Sequence, residues 1–353
     1  MQDHSIDAIP AASREPARAA LRAAFGQAPL VGARKLPSAN VSGAAIYRIE
    51  IADRSYLLRL EPRGHDNGGG GGDGGADRRR AYRCMAIAAQ AGIAPGLRHA
   101  DAQAGVAIMD FLPSLPLEDF PGGPARRAQA LGGLLARLQA AELFPPRLAY
   151  PTMLAAMFDR LQQSGLFAPG LLDVHRAGFE RIRLTYGWNE ATHVSSHGDP
   201  HRDNIVFDGA RLWLIDWETA ARNDPMVDAA ILTNYLATTP ELENALLLAW
   251  LGRVPDALLR ARLLLMRQMI RIFYACAALN RYSATMTPGA EHLPVTDLSA
   301  LSPRQFMAAL ADGRLVLGAA ATHLAGGKVD LARFMAVLAT RECQEALAIV
   351  TAG

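Results

Sequence analysis

"SSHGDPHRDNIVFDGARLWLIDWETAARNDPMVDAA", residues 195–230, crowds histidines, aspartates and an asparagine between short apolar segments. Two chemistries compete for it. His197, Asp199 and His201 alternate along the chain and would share one face of a strand, as a metal site needs. A metallohydrolase also needs further ligands, yet His65, His99 and His175 lie in regions with no comparable acidic company, and no HExxH or HxHxD pattern follows. The other reading starts from Asp199. Asn204 follows it by five positions, a predicted hairpin "NIVFDGARLWLID" comes next, and Asp216 lies twelve positions beyond Asn204. Singly, each residue has an ordinary explanation: loop aspartates are solvated, Trp213 and Trp217 are core, and His201 caps a turn. A structural turn has no need for a carboxylate, an amide and a second carboxylate in this order around a hairpin.

Phosphoryl transfer does need them. A base must accept a hydroxyl proton, while an amide oxygen and a carboxylate hold magnesium on the triphosphate. The spacing is that of the HxDxxxxN loop of kinases. The stretch resembles the core of the aminoglycoside phosphotransferase and choline kinase superfamily, small-molecule kinases with a protein-kinase-like fold. The resemblance extends over roughly residues 30–275 and is sharpest over 195–230.

The resemblance implies Asp199 as catalytic base and Asn204 and Asp216 as magnesium ligands. His197 would brace the loop, and Asp228 would hold it from the following helix. "LPSANVSGAAIYRIE" takes the place of the phosphate-covering loop, with Asn40, Ser42 and Gly43 offering short side chains and backbone N–H groups. "SYLLRLE" resembles the strand whose basic residue grips the phosphates, here Arg59. "IMDFL" resembles the hinge, where the backbone of Asp110, Phe111 and Leu112 would meet adenine. The implied cofactors are ATP and Mg2+. Three positions depart from the pattern. Arginine replaces lysine at the phosphate grip, which guanidinium chemistry tolerates. The helix glutamate expected to pair with it aligns with Ala81; Asp77, one turn earlier, substitutes only if the helix begins that early. Gln139 stands where relatives often carry histidine and is expected to affect packing.

"DWETAARNDPMVD" looks nearest the choline, ethanolamine and thiamine kinase branch. A cationic alcohol is then the expected acceptor, met by an aromatic face and an acid, with Trp217 and Glu218 as candidates and Trp188, Trp250, Tyr235 and Tyr274 as further aromatics. An aminoglycoside or sugar acceptor stays open, as does a non-catalytic nucleotide-binding scaffold.

The remainder of the 353 residues fits an α+β chain. Half of them are hydrophobic, enough for a large core, and the net charge of +2 with scattered arginines argues against a nucleic-acid surface. Only Lys35 and Lys328 are lysines, so arginine must serve where lysine is usual. Cys84, Cys276 and Cys343 lie far apart with no CxxC, which disfavours disulfides and zinc and suits a reducing cytoplasm. No apolar run approaches membrane-spanning length, and the first residues carry no signal-peptide core; neither membrane nor nucleic acid is an expected partner.

"SREPARAALRAAFG" predicts a helix capped by Ser13 and stopped by Gly26. "AAIYRIEIA" and "SYLLRLEP" predict a hairpin after a first strand. "GHDNGGGGGDGGAD" reads as a flexible insertion, since no Lys-Ser or Lys-Thr follows the glycines. A helix closing near Gly92 and a buried strand "GVAIMDFL" follow, and long helices are expected over 241–280 and 303–350. The expected organisation is an extension over 1–29, a sheet-rich lobe over 30–112 with the insertion at 64–77, and a helical lobe over 113–353.

Overall fold

A computed structural model describes residues 6–37, 43–61, 74–286 and 293–352. The first part of the chain runs α1 (Ala11–Phe25), β1 (Leu30–Lys35), β2 (Ala45–Ile51), β3 (Arg54–Leu60), α2 (Gly74–Gln90), β4 (Leu97–Asp101) and β5 (Val106–Asp110). The five strands form one antiparallel sheet in the order β1-β2-β3-β5-β4. Strand alternation decides what each face carries. Tyr47, Ile49 and Ile51 of β2, Tyr56, Leu58 and Leu60 of β3, and Val106 and Ile108 of β5 pack with Ile6, Ile9, Ala17 and Ala20 into one buried cluster. Burying side chains such as Ile49 and Leu58 contributes about 2 kcal/mol each. The intervening positions of β3, Leu57 and Arg59, are thereby turned to the opposite face.

Helix α1 starts two residues before the predicted cap. Pro10 precedes it, no side chain caps it, and Ser13 lies inside its first turn. Its C-terminal stop at Gly26 is as expected. Most of the glycine insertion lies outside the described residues, but Gly74 to Asp77 already belong to α2, so the helix does begin early enough to include Asp77. Strand β4 had no clear sequence signature, because "LRHAD" mixes charge with a single Leu and an Ala.

The chain continues as α3 (Gly123–Gln139), α4 (Tyr150–Gln163), α5 (Asp173–Thr185), β6 (Val194–Ser196), β7 (Ile205–Phe207), β8 (Leu212–Leu214), β9 (Ala221–Asn223), α6 (Met226–Tyr235), α7 (Pro240–Leu251), α8 (Ala257–Ser283), α9 (Pro303–Ala311), α10 (Ala320–Leu338) and α11 (Arg341–Ala352). The predicted hairpin is β7 with β8, and β6 pairs with β9. The expected long helices are each divided, at Gly252 for the first and at Asp312 and Ala339 for the second.

By its internal contacts the chain forms two compact units. One contains residues up to Pro146 with His193–Asp228 and Tyr235–Arg253. The other contains Arg147–Thr192, Ala229–Asn234 and the chain from Val254. In the first, α3 and α7 pack closely, with Leu131, Leu134, Leu135 and Leu138 of α3 buried as their helical spacing predicts. In the second, α8 is the central helix, packed by α4, α5, α10 and α11. Among the described residues, no helix is long and apolar enough to cross a membrane.

Candidate active site

All the elements of the site lie in the first unit. Strand β6 ends at Ser196, and the chain then enters a loop held by one buried acid. Asp228 at the start of α6 accepts the His197 N–H at 2.9 Å and the Gly198 N–H at 2.8 Å. Burial pushes the Asp228 carboxyl up, against the opposing pull of His197 and these two bonds. Gly198 has φ +78°, and a Cβ there would lie 2.9 Å from the Thr219 carbonyl, so only glycine fits. Thr219 in turn donates its hydroxyl to the His197 carbonyl at 2.9 Å.

His197 is buried, and both ring nitrogens are used. Nδ1 accepts the Asp199 N–H at 3.3 Å, and Nε2 lies 2.9 Å from the Ile215 carbonyl. This pairing assigns the proton to Nε2. One ring therefore ties the backbone of Asp199 to the residue preceding Asp216. Asn204 completes the tie: its Nδ2 donates to the Asp199 carbonyl at 2.9 Å, and its own carbonyl accepts the Ile215 N–H at 3.0 Å. Asp216 takes φ +66°, a left-handed conformation that aspartate tolerates better than most residues.

Strand β3 brings Arg59 to the same place. Its Nη1 lies 3.2 Å from Asp216 Oδ1, its Nη2 3.5 Å from Glu218 Oε2, and its Nε 2.9 Å from Glu61 Oε1. Burial alone would lower the Arg59 pKa, but Asp216, Glu61 and Glu218 outweigh it and hold the guanidinium charged. Burial, with Asp216 nearby, raises the Glu218 carboxyl, which Arg59 only partly counteracts.

The donor set suits a hard divalent cation. Asn204 turns its amide nitrogen to the Asp199 carbonyl, which leaves its side-chain oxygen as a donor, and Asp216 meets Arg59 through Oδ1, which leaves Oδ2 as a second. Oxygen donors of this kind are the ligands magnesium prefers.

The other predicted residues are placed as follows. Asn40 and Ser42 lie outside the described residues, and Gly43 is exposed. Asp110 ends β5, with its N–H on the Gly96 carbonyl at 2.8 Å and its carboxylate held by both arms of Arg98 at 2.8 and 2.9 Å. The backbone of Phe111 and Leu112 follows directly, and Arg48 stacks over the Phe111 ring at 4.7 Å. Trp217 is buried, edge-on to Phe144 at 5.9 Å and against the His197 ring at 4.7 Å, so its faces belong to the core. Trp250 is buried as well and donates to Gln139 Oε1, while Gln139 Nε2 donates to the Pro225 carbonyl, each at 2.9 Å. Gln139 thus joins α3, α7 and the turn before α6, the packing role expected of it. Trp188 packs on Tyr186 at 4.5 Å in the second unit, where Tyr274 packs on Phe273.

His201 takes the capping role that its ordinary reading gave it, and several other residues of the site were not singled out from the sequence. His201 caps the short turn Arg202–Asn204 by accepting the Asp203 N–H, and its Nε2 lies 3.6 Å from Asp199 Oδ2. Arg80 reaches from α2 to the carbonyls of Glu218, at 2.7 Å, and Ala220. Asp77 binds Arg80 at 3.3 Å and does not serve Arg59. The carboxylate on the inner nitrogen of Arg59 is Glu61, two positions along the chain and just past the end of β3, and Glu61 is also held by Arg78 at 2.8 Å. A charged residue next to a strand end gives no sequence signal of its partner.

A sheet presenting a largely enclosed arginine to a loop that carries two aspartates and an asparagine, in a chain that is otherwise mostly helical, defines a kinase-like small-molecule phosphotransferase. The chain belongs to the phosphotransferase enzyme family, which it matches over residues 35–264. That membership sets aside the non-catalytic scaffold reading.

Among solved structures it is similar to a choline/ethanolamine kinase family protein from Mesorhizobium loti, at 21% identity and TM-score 0.63, covering 97% of this chain and 100% of that one. It is similar to a choline kinase from Streptococcus pneumoniae, at 15% identity and TM-score 0.59, covering 79% and 94%. It is also similar to a spectinomycin phosphotransferase in complex with ADP and spectinomycin, at 11% identity and TM-score 0.51, covering 89% and 98%. At these identities the likeness establishes the fold. No curated protein matches at the level of sequence.

Proposed function

We propose that the protein transfers the γ-phosphoryl group of ATP, with Mg2+, to a hydroxyl of a small cationic alcohol of the choline, ethanolamine or thiamine kind. The observation that carries this reading is the single braced loop in which His197 and Asn204 fix Asp199 and Asp216 together, with Arg59 3.2 Å from Asp216. Asp199 is the group that receives the acceptor's hydroxyl proton, and His201 lies beside its carboxylate. Asn204 and Asp216 would hold magnesium, which when bound neutralises charge on the phosphates. Arg59 would exchange its contacts to Asp216 and Glu218 for phosphate oxygens, and the backbone of Phe111 and Leu112 would meet the adenine. The nucleotide assignment is supported by the ADP in the spectinomycin phosphotransferase.

For the acceptor, Glu218 supplies the anionic neighbour of a cation. Trp217 is a wedge behind the loop, and the acceptor reading does not use its ring. The likeness to choline and ethanolamine kinases supports this class over the aminoglycoside or sugar alternatives.

The test is coupled ADP release over a panel of choline, ethanolamine, thiamine, spectinomycin and simple sugars. Turnover with a cationic alcohol is expected; turnover with only an aminoglycoside or a sugar overturns the acceptor class. Asp199→Ala should reduce turnover on the order of a hundredfold or more while leaving Mg-ADP affinity within about twofold. Retained turnover removes Asp199 as the base.

A further inference from the structure

The carboxylate that positions Arg59 is the question left by Ala81. Arg59 is only 11% exposed, and its guanidinium meets three acids of unequal standing. Asp216 and Glu218 belong to the loop that meets the phosphates, and their contacts, at 3.2 and 3.5 Å, are the longer ones. Glu61 is different. It holds the inner Nε of Arg59 at 2.9 Å and leaves both terminal nitrogens pointing toward the loop.

Glu61 is also fixed at both ends. Its second oxygen takes Arg78 Nε at 2.8 Å, its backbone N–H donates to the Gly105 carbonyl at 2.8 Å, and its side chain is only 10% exposed. Arg78 adds a long contact, 3.4 Å, to the Ala102 carbonyl in the same turn. A largely buried carboxylate between two guanidinium groups is charge-assisted on both oxygens, the arrangement that gives short, directional bonds.

We propose that Glu61 is the positioning residue of the phosphate-gripping arginine, and that Arg78 of α2 locks it in place. The strand then supplies the carboxylate and the helix supplies the cation. Glu61 keeps Arg59 extended by its inner nitrogen, so the terminal nitrogens can leave Asp216 and Glu218 for phosphate without the side chain losing its anchor. Without Glu61, Arg59 has only the two site acids to hold it and must give up all its ion pairs to bind phosphate.

This inference rests on the nucleotide reading of the site, and its test separates the two. Isothermal titration with Mg-ADP and with adenosine is run on wild type, Glu61→Gln, Arg78→Gln and the double variant, with thermal melting of each. Glu61→Gln is expected to weaken Mg-ADP about tenfold, the worth of one charge-assisted bond, and adenosine by less than about twofold. Arg78→Gln should move Mg-ADP in the same direction by a smaller factor, and the double variant should match Glu61→Gln, because the two residues act in series. Arg78→Gln keeps the test open if Glu61→Gln does not fold. Equal loss of Mg-ADP and adenosine affinity, unchanged Mg-ADP affinity in both single variants, or additive effects in the double variant overturn the inference. Wild-type protein that binds neither ligand overturns the nucleotide reading itself.

Discussion

At the scale of single residues, the loop is organised by groups that never need to meet the substrate. Asp228 spends both oxygens on backbone N–H groups, and His197 spends both nitrogens on backbone atoms beside Asp199 and Asp216. Gly198 sits at the centre of this lattice. An alanine there meets two costs: a left-handed backbone at φ +78°, and a Cβ 2.9 Å from the Thr219 carbonyl, which is backbone and cannot swing away. Gly198→Ala is expected to lose about 2 kcal/mol of stability by denaturant unfolding, and to lower kcat more than it raises the nucleotide KM. A variant with unchanged stability and kcat refutes the account of the loop. The placement of Asp199, Asn204 and Asp216 around one hairpin was legible because their spacing is set by the chain itself, and that of Asp228 through the family resemblance. Arg78, Arg80 and Thr219 were not, because each acts on a partner far away in sequence, and Glu61 was not because nothing in "RLEP" says that its carboxylate turns back to Arg59 and on to Arg78. His201 is the turn cap its ordinary reading suggested, and the structure adds that the donor it caps is the Asp203 N–H.

At the scale of elements, helix α2 was legible as a helix but not as a strut. Nothing in the spacing of its arginines marks one of them as internal, yet Arg80 and Cys84 both bind the carbonyl of Ala220, and of the four arginines only Arg79 and Arg83 are exposed. The α3–α7 pair makes the same point about closeness. Gly132 faces α7 so tightly that a Cβ would collide with the Leu246 carbonyl and lie 2.9 Å from the Ala249 Cβ. The neighbouring Gly133 has nothing within 4 Å of such a Cβ. Gly132→Ala should therefore cost about 1–3 kcal/mol by forcing two helix backbones apart. Gly133→Ala in the same helix should gain about 0.5–1 kcal/mol from reduced backbone freedom in the unfolded chain. Chemical denaturation of the two variants, side by side, checks the pair. Equal effects would mean that helix propensity, not the crossing, governs this position. The leucine spacing of α3 was readable because it repeats along one helix; the need for glycine at one point of it belongs to the partner helix.

At the scale of the whole molecule, the compact units interleave the chain. The first takes in the sheet, the loop, α3 and α7, and the second is built around α8. Composition and periodicity say that helices are amphipathic but not which distant helix covers which, so this division could not be read from the sequence. The three cysteines report on it directly. Cys84 belongs to the first unit, and Cys276 and Cys343 to the second; all are fully buried. Burial pushes the Cys84 thiol up to about 12 and raises Cys276 and Cys343 as well. A raised thiol pKa means less thiolate, so at pH 8 Cys84 is held in the unreactive thiol form, even before access is considered. Iodoacetamide at pH 8 is expected to leave the native protein unlabelled by intact mass and to add three groups after denaturation. Rapid native labelling of any one cysteine would show that the core around it is open. Cys84 carries a further consequence, because its thiol donates to the Ala220 carbonyl behind the loop. Its protection measures whether α2 lies against that loop. In moderate denaturant, Mg-ADP should therefore slow the labelling of Cys84 in proportion to the ligand's stabilisation of the folded first unit. Labelling of Cys84 that is indifferent to saturating Mg-ADP would separate α2 from the nucleotide site.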